Sequence, residues 1–559
     1  MSQQKNSSFQ QLQHNLYKFS PEDTEKKQAL LKECSRIKIA SAKLLKQYHN
    51  QLLFLLSYSQ NRQEQSLAEA EMSRITANIN SRLKEQLSGS GIFATPTRGA
   101  YSLSLIQWLL KNYTGTLSLH SFDDEGIHPR DVLARVLNDA EFELAADENL
   151  NAIKWIEKAS GTKNKKQNLQ WIINAFDLMD AANDIKDSLF ESLSLYVEIN
   201  PTEALFSRSF GKLNVPKHFF HSEGILKKFD EQELINRKLP TDKKLNDVEK
   251  QKIIDASRIA ICLLNRETDP ITYCREKKIK YFELERGLSI ALFSIDSERN
   301  LPLESYVGFM MFKNGYPMSY GGAWLFGKRS LIGINIFEAF RGGESAYVFA
   351  QLLRCYRMAF GATYFEVEPY QFGKNNPEGI QSGAFWFYYR FGFRPINKRL
   401  FELSQNEIQK INQTKAYRTP ANVLRDFTKS NLCAHFDAST TPPLNPTELS
   451  KFVTQKITKQ FSGNRKLAFD YAIKKLRSEK IIGPKYNKQG LKKLALFFAF
   501  CFDFEKAKIS DKKILSQLIN FKIVSEFEYI HLLNKISFEK LASNELQTFL
   551  KTNKYPNLR

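Results

Sequence analysis

Two strand-like runs frame the stretch that decides the fold, Leu331-Ile332-Gly333-Ile334-Asn335-Ile336-Phe337 and Thr363-Tyr364-Phe365-Glu366-Val367-Glu368. The first run leads into the turn Phe340-Arg341-Gly342-Gly343-Glu344-Ser345, and a helical run connects that turn to the second strand. The stretch closes on an aromatic-rich helix and a new strand start, Phe387-Tyr388-Tyr389-Arg390-Phe391-Gly392-Phe393. A strand end beside a helix N-terminus offers free backbone amides to an anion, so this order predicts a site for a phosphorylated cofactor.

An antiparallel meander is predicted immediately before this stretch. Residues 287–295 are apolar on both faces, as in a central strand. Residues 306–312 and 318–326 are strand-like and flank Asn314-Gly315, a pair that suits the type I′ turn of a hairpin. A second tight turn at 327–329 leads into the first run of the deciding stretch. From about residue 271 the sequence therefore predicts a mainly antiparallel sheet.

Helical patterns flank this sheet on both sides. Apolar residues recur at three- and four-residue steps between 21 and 88, which predicts a long helical hairpin over 1–88, with a short homotypic coiled coil as the alternative. A Gly/Ser linker follows, and residues 100–245 are predicted to form a helical domain. Residues 447–559 are predicted to form a basic helical C-terminal domain. The fold class is thus α+β, with all-α N- and C-terminal regions around the sheet.

Composition limits the class of protein. The chain has 559 residues, 42% of them hydrophobic and 13% aromatic, which suits several packed domains. Six scattered cysteines without a Cys-x-x-Cys pair indicate a reducing compartment. The longest apolar run, 494–502, is too short to span a membrane, and residues 1–20 lack the pattern of a signal peptide. The expected location is the cytoplasm.

The positive charge of the chain is concentrated near its C-terminus. The net charge is +21, and residues 394–559 alone hold 31 Lys and Arg against 14 Asp and Glu. Within 451–500 the ratio is 13 to 2, and Phe452, Phe461, Phe469, Tyr471 and Tyr486 lie among the basic residues. Such a segment can bind nucleic acid through phosphates and unpaired bases. The alternatives are an acidic protein or lipid surface, and a merely solvated face around a helix core.

The meander, the Arg-Gly-Gly turn, the helix, the next strand and the ending Tyr388-x-x-x-Gly392-Phe393 resemble the GNAT (general N-acetyltransferase) superfamily over roughly residues 272–400. In that family the strand before the turn and the turn's amides bind the pantetheine and pyrophosphate of acyl-CoA. The resemblance therefore implies acetyl-CoA or another acyl-CoA as co-substrate. It assigns the contact to seven residues: Ile336, Phe337, Arg341, Gly342, Gly343, Ser345 and Ala346.

Two departures from the family pattern bear on that assignment. The family loop is Arg/Gln-x-x-Gly-x-Gly/Ala; Arg341 and Ala346 match its ends, but Glu344 stands where glycine is expected. A carboxylate stabilises the first turn of a helix, yet it would repel a pyrophosphate held in the same cradle. The link before Tyr388, residues 369–383, is also longer than in the family. Either departure is compatible with an altered cofactor or with none.

Acyl transfer to an amine requires a base for the acceptor and an acid for the leaving group. Glu366 and Glu368 share one face of their strand and are the candidate bases. Their alternative role is an ion pair with a nearby arginine, of which Arg354, Arg357 and Arg390 are the candidates. The resemblance implies that Tyr388 protonates the CoA thiolate; its alternative role is a packed aromatic side chain.

Other motifs carry less chemistry. His218 and His221 can share one helix face, but no acidic or cysteine partner lies at metal-ligand spacing, so no metal site is predicted. The function expected from these patterns is an N-acyltransferase acting on an amine of a protein or RNA acceptor. The alternative is a non-catalytic binding protein of the same fold, in which Glu344 blocks the cofactor and the basic C-terminal region contacts nucleic acid.

Overall fold

The computed structural model describes residues 2–113, 117–146, 149–439 and 442–552. Two sheets and the helices around them make up this part of the chain. It contains no helix with both the length and the apolar character needed to cross a bilayer.

The N-terminal region is a group of short helices. The predicted hairpin of two long helices is wrong, because the first of them is interrupted between residues 35 and 41. Ser41 caps the next helix by accepting the N–H of Leu44, which requires a non-helical backbone at this point. The five helices are α1 (Ser2–Asn15), α2 (Pro21–Cys34), α3 (Ala42–Tyr58), α4 (Arg62–Ala77) and α5 (Ser81–Gln86).

The second region is mostly helical but contains a small sheet that the all-α prediction missed. Its three antiparallel strands have the order β1-β3-β2, and Leu195, Val197 and Ile199 alternate into the core. The elements are β1 (Thr97–Gly99), α6 (Leu103–Asn112), β2 (Leu117–Phe122), α7 (Pro129–Leu133), α8 (Asp139–Ala145), α9 (Ala152–Ser160), α10 (Lys165–Leu178), α11 (Asn183–Ser192), β3 (Leu195–Ile199), α12 (Glu231–Asn236), α13 (Asp247–Leu263) and α14 (Asp269–Thr272).

The central sheet has eight strands in the order β10-β11-β9-β8-β7-β6-β5-β4, and its α+β class is as predicted. The domain extends beyond the predicted boundary at 400, because a later strand inserts between β10 and β9. Its elements are β4 (Cys274–Glu283), β5 (Leu288–Ile295), β6 (Ser305–Lys313), β7 (Tyr316–Phe326), β8 (Arg329–Ile336), α15 (Ser345–Phe360), β9 (Tyr364–Val367), α16 (Pro377–Gln381), α17 (Ala384–Arg390), β10 (Arg394–Pro395), α18 (Lys398–Gln413), α19 (Ala421–Phe427) and β11 (Leu432–His435).

The meander from β4 to β8 is antiparallel throughout, as predicted. Asn314 and Gly315 form the β6–β7 turn with φ angles of 47° and 86°, the left-handed backbone that a type I′ turn needs. Helix α15 then crosses over the sheet so that β9 pairs with β8 in parallel.

The C-terminal region is helical over the residues described and has its own apolar core. It is anchored to the loop before β6 by Tyr529, whose hydroxyl donates to the Leu303 carbonyl at 2.9 Å, and by the Lys522 ammonium, which donates to the Glu304 carbonyl at 3.0 Å. Its helices are α20 (Pro446–Phe461), α21 (Arg465–Ser478), α22 (Lys488–Cys501), α23 (Ile509–Val524), α24 (Glu526–Leu533), α25 (Phe538–Leu541) and α26 (Asn544–Thr552).

The β6–β7 turn also joins the sheet to the N-terminal helices. The buried Asn314 amide donates to the carbonyls of Ser57 and Phe219, and its oxygen accepts the Phe219 N–H at 2.9 Å. The end of α3 and the segment around residue 219 are therefore held by the same side chain.

We expect Asn314→Ala to lower the free energy of unfolding by about 2–4 kcal/mol, because it strains a left-handed backbone and leaves buried polar groups without partners. Asn375→Ala is the matched control: Asn375 is also left-handed, at φ 54°, but it is exposed. That control should lose only about 1 kcal/mol. Urea titration of both variants measures the difference, and equal losses would show that the hydrogen bonds of Asn314 contribute nothing.

Candidate functional site

Strands β8 and β9 pair over only three residues and then separate. The parallel register joins Arg329 to Tyr364, Ser330 to Phe365 and Leu331 to Glu366, after which β8 continues without a strand partner on that side. Its remaining residues, 332–336, therefore offer backbone groups at an open edge within the sheet. This divergence lies directly before the Arg-Gly-Gly turn.

The Gln371 side chain occupies the gap between the diverging strands. Its amide oxygen accepts the N–H of Ile334 at 3.2 Å and the hydroxyl of Tyr388 at 3.1 Å. Its nitrogen lies over Gly333, where a Cβ atom would come within 3.1 Å of it. Gln371 belongs to the long link 369–383, so this insertion places its own amide against the β8 edge.

Arg341 covers the next group on the same edge. Its Nε donates to the Ile336 carbonyl at 3.1 Å, and its guanidinium forms an exposed ion pair with Glu378 at 2.9 Å. The Arg341 carbonyl in turn accepts the Tyr17 hydroxyl at 3.1 Å. The arginine predicted to contact pyrophosphate therefore folds back onto the sheet edge, and its ion pair with Glu378 is the surface ion pair that a helix-terminal arginine offered as the alternative role.

The two glycines of the turn lie under the N-terminal helices. Gly342 has a φ of 85°, and a Cβ atom on it would come within 3.1 Å of the Tyr17 ring. A Cβ on Gly343 would come equally close to Phe54 and within 3.2 Å of Tyr58. The segment that follows α1 and helix α3 therefore leave no room for a side chain at either glycine, whether or not a ligand binds there.

The start of helix α15 still has donors to offer. Ser345 and Ala346 are half-buried, and no acceptor for their N–H groups is found in the part of the chain that the structure describes. The cap residue Glu344 gives no side-chain hydrogen bond to the helix. These two amides and the positive end of a 16-residue helix favour an anion at this point.

Phe337 lies away from this surface. Its ring is buried and stacks on Tyr320 with centroids 5.3 Å apart, and its N–H donates to the Met318 carbonyl at 2.9 Å. The predicted cofactor contact at Phe337 is therefore corrected: neither its side chain nor its amide is available. Ile336 keeps the role predicted for it only through its carbonyl at the β8 edge.

Glu344 points into the protein rather than into the turn. It is 1% exposed, and its carboxylate accepts from Lys313 at 2.9 Å, from the Arg286 Nε at 2.8 Å and from the Leu226 N–H at 2.8 Å. The prediction that it would repel a pyrophosphate in the cradle is therefore wrong. Its carboxylate is instead the centre of a buried charge cluster that we call the Glu344 cluster: Glu344, Lys313, Arg286 and His221.

Burial and neighbouring charges shift the pKa of Glu344, and that of Lys313, in opposite directions. Burial raises the pKa of Glu344, but the Lys313 charge and the hydrogen bonds from Arg286 and Leu226 outweigh it, so the pKa falls below its ordinary value. Burial lowers the pKa of Lys313 to about 8, and Glu344 limits that decrease. The pKa of His221 falls to about 3, chiefly because it is buried, so this imidazole is neutral at pH 7.

The assignment of Glu366 as a base is also corrected. Glu366 is buried and forms a two-point ion pair with Arg329, at 3.1 and 3.0 Å, and it accepts from Asn431 at 3.3 Å. The ion-pair alternative was right, but the partner is none of the arginines considered. Both carboxylate oxygens of Glu366 are engaged, and its ion pair fixes the closed end of the β8–β9 pair.

Glu368 and Tyr388 remain available for proton transfer. Glu368 is exposed just beyond β9, and no ion pair involves it in the ranges described. Its charge acts on Tyr306, whose pKa rises to about 12, mainly because of burial and also because of Asp269 and Glu368. Tyr388 is 4% exposed, and burial raises its pKa, so its hydroxyl keeps its proton at neutral pH.

Three glycines in register form a feature that sequence reasoning missed. Gly308, Gly322 and Gly333 lie side by side across β6, β7 and β8, two rows beyond Tyr306, Trp324 and Leu331. Pro270 covers the first glycine, Tyr306 the second and Gln371 the third. Glycine at interior positions of three successive strands was the available signal, because it marks a close approach to the backbone.

The other sequence candidates have structural roles. His218 shares its Nε2 with Ser59 at 2.8 Å, and no group of His, Cys, Asp and Glu suited to a metal ion occurs among the described residues. In the basic segment Phe452 belongs to the buried helical core, whereas Tyr471 stacks on Phe500 but is 44% exposed. Many of the basic side chains are exposed, namely Lys451, Lys459, Arg465, Lys466, Lys474, Arg477, Lys480, Lys485, Lys488 and Lys492.

Comparison with protein-family models, with curated proteins and with solved structures found no match for this chain. The function is therefore argued from geometry and chemistry alone.

Because Glu344 is buried among cations, Glu344→Gln should lower the free energy of unfolding by about 3–5 kcal/mol. Glu378→Gln is the control, since it removes an exposed ion pair worth at most about 1 kcal/mol. The contribution of Glu344 is present above its unfolded pKa and is lost as the pH falls through its lower folded pKa. Urea titrations should therefore show the gap between wild type and Glu344→Gln narrowing below about pH 4.5, and a gap that is constant down to pH 2 would contradict this assignment.

Proposed function

We propose that this protein is an N-acyltransferase that moves an acyl group from acyl-CoA to an amine. The observation that carries the proposal is the divergence of β8 and β9 immediately before a glycine turn and the start of α15. That combination places an open strand edge beside an anion-binding helix end, and the two features suit the amide-containing arm and the phosphates of one ligand.

The proposed co-substrate would contact the groups that Gln371 and Arg341 now engage. Its pantetheine amides would bond to the Ile334 N–H and the Ile336 carbonyl, in place of those two side chains. Its pyrophosphate would face the N–H groups of Ser345 and Ala346, with the released Arg341 supplying a charge-assisted contact. Binding therefore requires Gln371 to leave the gap.

In the proposed reaction the neutral acceptor amine attacks the thioester carbonyl. A C–N bond forms, the C–S bond breaks, and the amine loses one proton. Glu368 accepts that proton because it is exposed beside the divergence and carries a free carboxylate. Tyr388 donates its hydroxyl proton to the CoA thiolate once Gln371 no longer accepts it.

The proposal also includes the class of acceptor and the cellular compartment. The flanking regions suit a macromolecular acceptor, a protein or an RNA, for which the exposed basic side chains of 451–500 supply a polyanion-binding face. The six cysteines are buried thiols, which suits a reducing, cytoplasmic setting.

A non-catalytic protein of this fold is the second candidate, and Gln371 is the observation that favours it. The Gln371 amide fills the gap. Its oxygen accepts the Ile334 N–H at the β8 edge and the hydroxyl of Tyr388, the proposed acid. In this candidate the closure is permanent, and Gln371 rather than Glu344 excludes the cofactor.

Calorimetric titration with acetyl-CoA separates the two candidates. We expect saturable binding by the wild type, and tighter binding by Gln371→Ala by roughly tenfold, because the hydrogen bonds of Gln371 no longer compete. Gln381→Ala changes an exposed glutamine of the same segment and should bind as the wild type does. Absence of binding by both the wild type and Gln371→Ala would refute the acyl-CoA proposal.

Removal of the proposed acid and base should slow turnover without abolishing co-substrate binding. We expect Tyr388→Phe and Glu368→Gln each to lower kcat by about 10²–10⁴-fold while acetyl-CoA affinity stays within a few-fold of wild type. CoA release in the presence of polylysine or spermidine measures this. Tyr389→Phe is the control, because its hydroxyl only accepts from Gln405; an equal loss in this variant would mean that the effect is one of packing.

A further inference from the structure

A cavity of about 360 Å³ lies between the small sheet and the central sheet. It is formed where the ends of β2 and β3 meet the start of α6 and the link from α13 to α14. Its volume is in the range of small-ligand sites. Its lining includes Tyr101, Glu191, Tyr196, Glu267, Asp269 and Tyr273.

The lining combines carboxylates with tyrosine rings and includes no Lys or Arg. Glu267 is engaged by Ser102, at 2.5 Å to its hydroxyl and 2.9 Å to its N–H, and by Thr272. Glu191 and Asp269, in contrast, have no ion-pair partner in the described ranges. Burial raises the pKa of each, negative neighbours raise it further, and the charge of Arg299 acts in the opposite direction without cancelling these effects. The cavity therefore holds negative charge that a bound cation would stabilise.

The tyrosine rings suit the same ligand. Tyr101, Tyr196 and Tyr273 present aromatic surface to the cavity, and aromatic faces attract ammonium groups. Tyr273 already accepts one cation in this way, since the Arg299 guanidinium lies 3.5 Å from its ring centroid. Arg299 itself is paired with Asp187, and its charge offsets those of Glu191 and Asp269 only in part, since the pKa of each stays raised.

One short segment connects the cavity to the divergence of β8 and β9. Asp269 lines the cavity, and the next residue, Pro270, packs on Gly308 at the near end of the glycine row. The charge of Asp269 also acts on Tyr306, which covers the second glycine. Gly333, the third, lies on β8 beside Gln371. From Gly308 to Gly333 the row crosses two strand spacings, or roughly 10 Å.

We propose that this cavity binds an alkylammonium group of the acceptor, and that the amine to be acylated lies at least about 10 Å away, at the divergence. The acceptor therefore carries two cationic groups, as a polypeptide with neighbouring lysines or a linear polyamine does, which favours a protein over the RNA acceptor proposed beside it. This inference rests on the proposed acyl transfer for the role of the site, but the binding of the cation does not depend on acyl-CoA.

The test is calorimetric titration of the full-length protein without acyl-CoA. Spermidine and a short lysine-rich peptide are the two probes, so the result distinguishes a free polyamine from a polypeptide. We expect at least one of them to bind saturably, and Asp269→Asn and Glu191→Gln each to weaken that binding tenfold or more. Glu25→Gln, which removes an exposed carboxylate from α2, should leave the affinity unchanged.

Melting temperatures show whether weaker binding by Asp269→Asn or Glu191→Gln results from misfolding. Each removes one of two mutually repelling carboxylates, so its melting temperature should equal or exceed that of the wild type. Absence of saturable binding by both probes would overturn the proposal, as would an affinity that is the same in Asp269→Asn, Glu191→Gln and wild type. Probe binding by a protein that binds no acetyl-CoA, either as wild type or as Gln371→Ala, would confirm the cation site and refute acyl transfer, so the two failures are distinguishable.

Discussion

The buried carboxylate of Glu344 is the interaction on which the central region depends. It lies where four parts of the chain meet: the start of α15, the β4–β5 turn through Arg286, the end of β6 through Lys313, and the segment at Leu226. A buried ion is costly unless it is paired and hydrogen-bonded on all sides, and Glu344 meets that condition. Any displacement of α15 along its axis would break several of these contacts together. The buried contacts of Glu344 therefore fix the position of the Arg-Gly-Gly turn.

Because Glu344 is held on the inner side of the Arg-Gly-Gly turn, other residues determine what can bind on the outer side. Since Glu344 faces inward, the Ser345 and Ala346 amides are not opposed by a carboxylate, and the helix end keeps its positive character. Competition with a ligand occurs instead at the β8 edge, where Gln371 and Arg341 hydrogen-bond to the backbone groups that an extended ligand would need. Both belong to short connecting segments: Gln371 lies in the 3-10 turn Pro369–Phe372, and Arg341 directly follows the 3-10 turn Glu338–Phe340. A ligand could therefore replace the hydrogen bonds of Gln371 and Arg341 at the β8 edge, whereas it could not replace the buried contacts of the Glu344 cluster.

Local signals predicted the parts of the fold that local chemistry determines. The Asn314-Gly315 turn fixed a hairpin, and the Arg-Gly-Gly turn fixed the change from strand to helix. The glycine row could not be predicted, because a bulge between Met311 and Phe312 shifts the register so that Gly308 meets Gly322 rather than Gly321. Strand β11 and the Arg329–Glu366 pair depend on contacts between distant segments. The inward direction of Glu344 likewise follows from Lys313 and Arg286, whose proximity no spacing reveals.

The two ends of the β8–β9 pair are stabilised in different ways, and this asymmetry makes a ligand site there physically reasonable. At the closed end the backbone ladder and the buried Arg329–Glu366 ion pair hold the strands together. At the open end the ladder has already stopped, and only side-chain hydrogen bonds of about 1 kcal/mol each bridge the gap. A ligand with amide groups would replace those bonds with equivalent ones without unpairing any strand. Opening the gap therefore costs little compared with the free energy of binding a micromolar ligand, about 8 kcal/mol.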